Sequence, residues 1–256
     1  MEFAGRIALV TGGASGIGRE VARQLSAKGA ALAVADINFA GAEAVAAELV
    51  AAGGTAIAVE FDVADADQVS AGVVQTCREL GGLHILVHSA GIGVERDFLD
   101  TSLEEWQRII DVDLTGTFLT CQAAAREMVK GGYGRIVNLS STAGLVGSAT
   151  SAVYSMTKGG VRLFTKSTAI EVRAQGHNIR CNSVHPGATE SPMQDHILAT
   201  SNMSPDEIKS YMETRNLLGR FGTARDIAKA ILFLASNDSA FMTGSEVVVD
   251  GGYTAR

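Results

Sequence analysis

The chain has 256 residues, 46% hydrophobic and 19% charged, with a formal net charge of −7, which is enough apolar content for one domain with a large core. The acidity and the scatter of the basic residues argue against nucleic acid or an anionic membrane as a partner, because both need clustered cationic surface. No apolar run is as long as a membrane span and the first residues do not read as a signal peptide, so we expect one cytoplasmic domain over residues 1–256.

The first predicted strand, at about residues 6–11, runs through a glycine-rich turn into a helix. The turn reads Thr11-Gly12-Gly13-Ala14-Ser15-Gly16-Ile17-Gly18. A helix that begins here offers unpaired amide N–H groups and partial positive charge to a pyrophosphate, if no side chain intervenes. Gly12 permits the turn, Gly16 a close approach of the cofactor, and Gly18 tight packing of the helix on its strand. We assign these three glycines, Ser15 and Ile17 to cofactor binding, although such a turn alone is often only a tight connection.

The second predicted strand, at about residues 31–36, ends in Asp36, 18 residues after Gly18. A carboxylate at this position accepts hydrogen bonds from both hydroxyls of the adenosine ribose and repels a 2′-phosphate. A site for a 2′-phosphate usually offers a cation in the glycine turn or just after the second strand. This sequence has the uncharged Ser15 and Ile37 at these two places. The sequence therefore predicts NAD rather than NADP. The alternative is that Asp36 only ends its strand or caps the next helix.

Apolar strands alternate with helical periodicity along almost the whole chain, as in a parallel sheet covered on both faces. Further strands are predicted at about residues 55–61, 83–88, 134–140, 178–184 and 246–250. The predicted fold is α/β: a doubly wound, Rossmann-like parallel sheet of seven strands with helices on both faces. Two long helical segments, about 102–130 and 151–175, are predicted to pair between subunits. The segment at about 188–218 breaks this rhythm and is predicted to be a substrate lid.

Residues just after the strands are candidates for the cofactor site, because doubly wound sheets bind ligands at the carboxyl ends of their strands. Asp62 is suited to accept the adenine amino group and Val63 to cover the ring, unless the two only start the next helix. The fourth strand ends in His88, and the small Ala90 and Gly91 that follow would let the backbone lie against the cofactor. We include His88 at this edge, although a single histidine at a strand end is more often a packing residue than an acid or base.

The catalytic residues are assigned to the end of the fifth strand and to the helix after it. Tyr154 and Lys158 are four residues apart, which places both side chains on one helical face. A neighbouring ammonium is expected to lower the tyrosine pKa from about 10 and so make the phenol useful at neutral pH. The Ser141 hydroxyl would bind the oxygen of an alcohol or ketone while Tyr154 exchanges its proton and hydride moves to or from nicotinamide. The same tyrosine–lysine spacing on an ordinary helix has no catalytic meaning.

These motifs, with Pro186-Gly187 and the ending Val249-Asp250-Gly251-Gly252, resemble those of the short-chain dehydrogenase/reductase family of the compact single-domain type, over the full chain. The resemblance implies that Tyr154 is the general acid/base, that Ser141 positions the substrate oxygen, and that Lys158 binds the nicotinamide ribose. It also implies that Pro186, Gly187 and Thr189 hold the nicotinamide and that the protein is a homotetramer.

The sequence departs from the family pattern in two places. His88 and Ser89 stand where the family has two asparagines. Asp113, which we include in the catalytic set, stands where the family has an asparagine that helps hold a relay water near the lysine. If the main-chain carbonyl holds that water, the relay survives. An ionised Asp113 paired with Lys158 would instead alter the pH profile.

The predicted lid favours a hydrophobic secondary alcohol or its ketone, cyclic or steroid-like, although such apolar residues also arise from ordinary packing. Its apolar residues are Met193, Ile197, Leu198, Met203, Met212, Leu217 and Leu218. His185 and Glu190 are further candidates for substrate contact. One alternative function is a 3-oxoacyl carrier-protein reductase, which would need NADPH and a basic docking patch. The other is a non-catalytic NAD-binding sensor or scaffold, which the intact Ser141, Tyr154 and Lys158 disfavour.

The three cysteines, Cys77, Cys121 and Cys181, are far apart, and none belongs to a CxxC pair. We therefore predict neither a disulfide framework nor a metal site. Each thiol is expected to be a small buried group.

Overall fold

Seven parallel strands form one sheet, in the order β3-β2-β1-β4-β5-β6-β7. They are β1 Ile7–Thr11, β2 Ala31–Asp36, β3 Ala56–Glu60, β4 Ile85–His88, β5 Gly134–Leu139, β6 Ile179–Pro186 and β7 Glu246–Val249. This confirms the predicted doubly wound, Rossmann-like sheet in a single domain. The order reverses between β1 and β4, and ligands bind such sheets outside the carboxyl ends of the strands at that point. The computed structural model describes residues 1–93, 96–147, 149, 151–200, 204, 206–208, 210, 214 and 216–255, with backbone alone at 196, 197, 199 and 200.

Helices connect successive strands. They are α1 Gly16–Ala27, α2 Phe39–Ala51, α3 Ala66–Leu80, α4 Leu103–Ile110, α5 Gly116–Gly131, α6 Ala152–Ala174, α7 Pro192–Thr200 and α8 Ala224–Ala235. The segment predicted as one helix over about 102–130 is interrupted by a π-helical turn at Asp111–Thr115, so it forms two helices. The helix predicted over about 151–175 is α6. Within the predicted lid, α7 is described, and the described residues 206–208, 210 and 214 are also helical.

The sheet is covered on both faces, which is why its strands are continuous apolar runs. Val10 and Val87 are buried in one core with α1 and α8, and their neighbours Leu9 and Leu86 are buried in a second core with α3 and α5. Successive side chains of a strand point to opposite faces, so each strand contributes to both cores. Each such side chain contributes about 1.5–3 kcal/mol when it is removed from water. The rigid sheet that results fixes the strand ends on which the site is built.

The three cysteines are free thiols, in agreement with the predicted absence of a disulfide framework. Cys121 and Cys181 are buried, whereas Cys77 is only partly so. Burial raises the pKa of Cys121 to about 12, so this thiol stays protonated. Within the ranges that the structure covers, His, Cys, Asp and Glu side chains do not cluster as metal ligands would. No helix in the described part of the chain has the length and apolarity that crossing a membrane requires.

Candidate active site

A cavity of about 1370 Å³ opens along the carboxyl edge of the sheet. Most site residues predicted from the sequence line it: Gly12, Ser15, Gly16, Ile17, Asp36, Ile37, Asp62, Val63, Ala90, Gly91, Ser141, Tyr154, Lys158, Pro186, Gly187 and Thr189. Three others, Gly18, His88 and Asp113, are not part of the wall. Residues from almost every strand end therefore converge on one space.

The glycine turn between β1 and α1 leaves room for a phosphate group. Gly12 has a φ of +62°, and a Cβ there would lie 3.0 Å from the backbone of Ala90. A Cβ on Gly18 would lie 2.2 Å from the Gly12 carbonyl oxygen, so Gly18 allows α1 to pack on the turn. The Ser15 side chain does not cap α1, and the first turn of the helix has no acidic residue. The free amide end of α1 therefore fits a pyrophosphate.

Asp36 is held at the cavity rim by backbone groups. Its Oδ2 accepts the N–H of Ala14 at 3.0 Å, and its Oδ1 accepts the N–H of Asn38 at 2.9 Å. The cap of α2 is the Asn38 side chain, which accepts the N–H of Gly41, so the alternative that Asp36 caps this helix is wrong. The carboxylate ends β2 with a fixed orientation and lines the cavity with the uncharged Ile37.

Asp62 and Val63 follow β3 and lie in the same wall. The Asp62 carboxylate accepts the N–H of Ala64 at 2.9 Å, which fixes the turn. The N-cap of α3 is Asp65, so Asp62 does not start that helix. Val63 is largely buried, and Gly116 at the start of α5 leaves room for it, because a Cβ on Gly116 would lie 2.8 Å from Val63 Cγ2.

His88 lies behind the cavity wall rather than in it. Its Nδ1 is 3.1 Å from the Thr11 hydroxyl oxygen, which also accepts the N–H groups of Ser89 and Ala90. That hydroxyl therefore donates its own proton to Nδ1. Burial, with the nearby Lys158 charge, lowers the pKa of His88 to about 3, so the ring is neutral. The side chain fixes the backbone that lines the cofactor edge, which agrees with the packing interpretation.

The predicted catalytic side chains meet at one end of the cavity. Ser141 follows β5 and Tyr154 lies on α6, and the Ser141 hydroxyl is close enough to lower the pKa of Tyr154. The Ser141 Oγ also accepts the N–H of Ala143 at 3.1 Å. One turn along α6, the Lys158 Nζ lies 5.4 Å from the centre of the Tyr154 ring. The buried Ser140 hydroxyl donates to the Lys158 carbonyl at 2.8 Å and so joins the strand end to the helix.

Asp113 lies beneath this group, in the π-helical turn between α4 and α5. Its Oδ2 is 3.2 Å from the Lys158 Nζ, and both side chains are almost fully buried. Its Oδ1 accepts the N–H of Ile92 at 2.9 Å. Of the two outcomes left open by the sequence, the side-chain geometry is that of an ion pair between Asp113 and Lys158.

The pKa of Tyr154 is raised above its ordinary value, contrary to the expectation from the sequence. Burial is the main cause. Lys158 does lower this pKa, as does the hydrogen bond from Ser141, but the Asp113 carboxylate opposes them. Burial alone would lower the pKa of Lys158, yet the charges of Asp113 and Tyr154 raise it, so the lysine stays protonated.

Another part of the cavity wall is formed by the end of β6 and the C-terminal turn. The Gly187 N–H donates to the Val249 carbonyl at 3.0 Å, and a Cβ on Gly187 would lie 2.8 Å from Asp250 Cα. The Thr189 hydroxyl donates to the Gly187 carbonyl at 2.9 Å. The turn after Asp250 carries Tyr253 into the cavity wall, a contribution that the sequence analysis missed. An aromatic residue just after the Asp-Gly-Gly ending was its only signal.

The apolar residues of the predicted lid differ in whether they line the cavity. Met193 lines the cavity. Leu217 and Leu218 do not, and they are 61% and 69% exposed. Met203, Met212 and the side chain of Ile197 lie outside the described residues. The sequence analysis also missed Gln194 and Asn216, which line the same wall.

His185 and Glu190 were candidates for substrate contact, and neither lines the cavity. His185 is fully buried, and its Nδ1 lies 3.2 Å from the Ser141 carbonyl oxygen. Its Nε2 lies 2.9 Å from the Ser183 hydroxyl. The ring therefore holds the backbone of Ser141 from behind. Glu190 is exposed.

A doubly wound sheet with this phosphate cradle, a carboxylate at the end of β2 and a serine–tyrosine–lysine group defines a dinucleotide-dependent oxidoreductase. The chain belongs to the short-chain dehydrogenase/reductase family, whose members use nicotinamide cofactors, NAD or NADP. A family model described as enoyl-(acyl carrier protein) reductase matches residues 12–254.

Curated relatives and solved structures match almost the whole chain. The chain is 41% identical over 254 residues to a cis-4-hydroxycyclohexanecarboxylate dehydrogenase of Sinomonas cyclohexanicum, covering 99% of this chain and 98% of the relative. It is 41% identical over 251 residues to a 3-alpha-(or 20-beta)-hydroxysteroid dehydrogenase of Mycobacterium tuberculosis, covering 98% and 90%. The crystal structure of levodione reductase is similar with a TM-score of 0.93 and 31% identity, covering 99% of each chain.

Proposed function

We propose that this oxidoreductase is an NAD(H)-dependent dehydrogenase that interconverts a hydrophobic cyclic secondary alcohol and its ketone. The observation that carries the proposal is the meeting of the Ser141 and Tyr154 hydroxyls beside the Lys158 ammonium, in a cavity that continues to the glycine turn and Asp36. One end of this cavity suits proton exchange with a substrate oxygen, and the other suits a dinucleotide.

The cofactor assignment rests on charge. Asp36 presents a fixed carboxylate, which favours ribose hydroxyls and repels a 2′-phosphate. The nearest arginines of α1 do not relieve this repulsion, because Arg19 and Arg23 both bind Glu48, at 3.0 and 2.6 Å. These contacts favour NAD over NADP.

The other cavity residues divide between the two ends of the cofactor. In this proposal Asp62 and Val63 hold the adenine, and Ala90 and Gly91 lie along the adenosine. The nicotinamide end is assigned to Pro186, Gly187 and Thr189, with Lys158 on its ribose. When bound, the nicotinamide accepts or donates a hydride.

The proton chemistry is assigned to Tyr154. In alcohol oxidation its phenolate takes the hydroxyl proton as the carbinol carbon gives up hydride, and in ketone reduction its phenol returns the proton. Ser141 donates a hydrogen bond to the substrate oxygen and so keeps that oxygen within reach of Tyr154. Lys158 stabilises the phenolate electrostatically.

A cyclic substrate is supported by the cavity and by the relatives. Met193, Ala143 and Ile92 give this end of the cavity an apolar lining. Two curated relatives are named for a hydroxycyclohexanecarboxylate and a hydroxysteroid. We assign residues 188–218 as the lid that closes over such a ring. The net charge of −7 speaks against docking of an acidic carrier protein, which a carrier-protein reductase would need.

We further propose a cytoplasmic homotetramer that pairs its long helices across subunits. Phe118 on α5 is 45% exposed, and Leu163 and Ile170 on α6 are 65% and 71% exposed. Large apolar side chains exposed on neighbouring helices mark a protein interface.

The test is a substrate panel followed by one matched pair of variants. Cyclic secondary alcohols, open-chain alcohols of equal carbon number and an oxoacyl carrier thioester are assayed with NAD(H) and NADP(H). We expect turnover of cyclic alcohols with NAD. Tyr154→Phe should abolish it while NADH still binds, and Tyr133→Phe, whose ring lies between Arg6 and Arg135, should leave it intact. NADH binding without turnover on any substrate would instead support the sensor alternative.

A further inference from the structure

A chain of three ionisable groups, of which Asp113 and Lys158 are buried, ends at Tyr154 in the cavity wall. Asp113 and Lys158 form an ion pair with side chains that are 0% and 6% exposed, 3.2 Å apart. The Lys158 ammonium lies 5.4 Å from the Tyr154 ring centre. Charges interact strongly where water is excluded, so the charge of Asp113 affects the pKa of Tyr154 through Lys158.

The Asp113 carboxylate contacts a backbone N–H, an ammonium and a hydroxyl. The backbone N–H of Ile92 reaches Oδ1, while the Lys158 ammonium and the Thr157 hydroxyl reach Oδ2, at 3.2 and 3.3 Å. The Asp113 charge raises the pKa of Lys158 and lies directly on the ammonium that would otherwise stabilise a tyrosine phenolate.

The remaining titratable groups near Tyr154 do not restore the missing positive charge. Among the described residues of this cavity and the wall behind it they include His88, His185, Tyr253 and, on the α4 side, Glu104, Arg108 and Asp111. The charges that shift the pKa of Tyr154 are those of Lys158 and Asp113. Both histidines are buried, and burial lowers the pKa of each, so neither is cationic at neutral pH. The lysine charge is thus offset by Asp113 at the site where it is needed.

We propose that Asp113 keeps Tyr154 protonated at neutral pH, which poises the site for ketone reduction and confines efficient alcohol oxidation to alkaline solution. This inference rests on the proposed function. In reduction the carbonyl carbon gains the hydride of NADH, the electron pair of the C=O π bond moves to oxygen, and that oxygen takes the Tyr154 proton. The ketone is reduced, NADH is oxidised, and a tyrosine phenolate remains to be reprotonated. Asp113 acts through Lys158 and is a positioning residue.

The direct test is the ultraviolet titration of the tyrosine phenolate in the protein without cofactor. The chain has four tyrosines, so the curve of Tyr154→Phe is subtracted from that of the wild type to isolate Tyr154. The same difference is measured in an Asp113→Asn background. We expect the Tyr154 midpoint to fall by about 1 pH unit or more when the like charge is removed. Asp100→Asn, the same change at an exposed position, should leave it unchanged.

A second variant guards against disturbed packing. An asparagine amide would place an N–H against the donors that reach one of the two carboxylate oxygens, whereas Asp113→Ser removes the charge and leaves space. Both variants should move the midpoint downwards. A midpoint that stays in place or rises in whichever variant folds would overturn the inference.

The pH–rate profiles provide the second readout. In Asp113→Asn the acid limb of alcohol oxidation should move to lower pH by about the shift seen in the titration. The phenolate titration needs no turnover, so the two proposals fail separately. A wild type that turns over no cyclic alcohol contradicts the proposed function, whereas an active enzyme with unshifted profiles contradicts only the role of Asp113.

Discussion

Replacing Gly18 with alanine is expected to damage the phosphate cradle and the stability of the fold together. The added Cβ would lie 2.2 Å from the Gly12 carbonyl oxygen, where real contacts are not found below 3.0 Å. The turn cannot simply move away, because Gly12 is itself packed against Ala90. Either α1 or the turn must therefore be displaced by several tenths of an ångström.

The expected size follows from overpacking and from the lost phosphate contact. Forcing one extra methyl group into a packed site costs about 1–3 kcal/mol, and each kcal/mol lowers Tm by about 2–4 °C in a protein of this size. A displaced α1 terminus that loses one charge-assisted hydrogen bond to pyrophosphate loses about 1.5–3 kcal/mol, which weakens NADH binding at least about tenfold.

Thermal unfolding and calorimetric titration with NADH measure the two effects of Gly18→Ala. Gly131→Ala is the matched control, because a Cβ at this exposed residue at the end of α5 meets nothing within 4 Å. The control should melt at or above the wild-type temperature and bind NADH normally. If Gly18→Ala matches the control in both measurements, the close contact in the turn has no energetic meaning and the reasoning is refuted.

Three further predictions concern specificity, acid stability and the support of Ser141. The double variant Asp36→Ala/Ile37→Arg should raise kcat/KM for NADPH relative to NADH by more than about tenfold, because an arginine binds the 2′-phosphate; an unchanged ratio contradicts the role of Asp36. Arg23, with Arg19, lowers the pKa of Glu48 to about 2. The contribution of the ionised Glu48 to stability is therefore present above pH 4.5 and is lost as pH falls towards 2. Urea unfolding should show that Glu48→Gln costs less than about 1 kcal/mol at pH 7 and nothing near pH 2, because the pair is partly exposed; an equal cost at both pH values would contradict this. His185→Leu should lower kcat with unchanged NADH affinity, and His185→Asn, which keeps hydrogen-bonding groups, should lose less; equal losses would assign His185 to packing alone.

Much of the site could be predicted because a parallel sheet turns sequence order into spatial order. Every strand of such a sheet ends at the same edge, so the sequence places Asp36, Asp62 and Ser141 along that edge although they are far apart in the chain. The glycine turn could be predicted equally well, since its spacing depends on one local strand–turn–helix unit. Both kinds of inference need only the position of a residue relative to its own strand.

The π-helical turn could not be predicted in this way. Residues 111–115 contain no glycine or proline, and their periodicity continues that of the helices on either side. The contacts that accompany the turn are tertiary: Gly116 lies against Val63, and Asp113 meets Lys158 and the backbone of Ile92. A single helix was the correct local expectation, and the packing of distant segments overrides it.

The predicted direction of the Tyr154 pKa shift was wrong for a related reason. Helical spacing correctly placed Lys158 beside Tyr154, but a pKa depends on the balance of charge and burial from all sides. The balance is set by Asp113, whose side chain reaches Lys158 across 45 positions of sequence, and by burial that no local pattern reveals. An ion pair inside a protein gains little stability after desolvation, so fold stability alone gives little reason for a carboxylate here. The proposed effect on the proton of Tyr154 would provide one, and the residue that departs from the family pattern would then set how this site differs from those of its relatives.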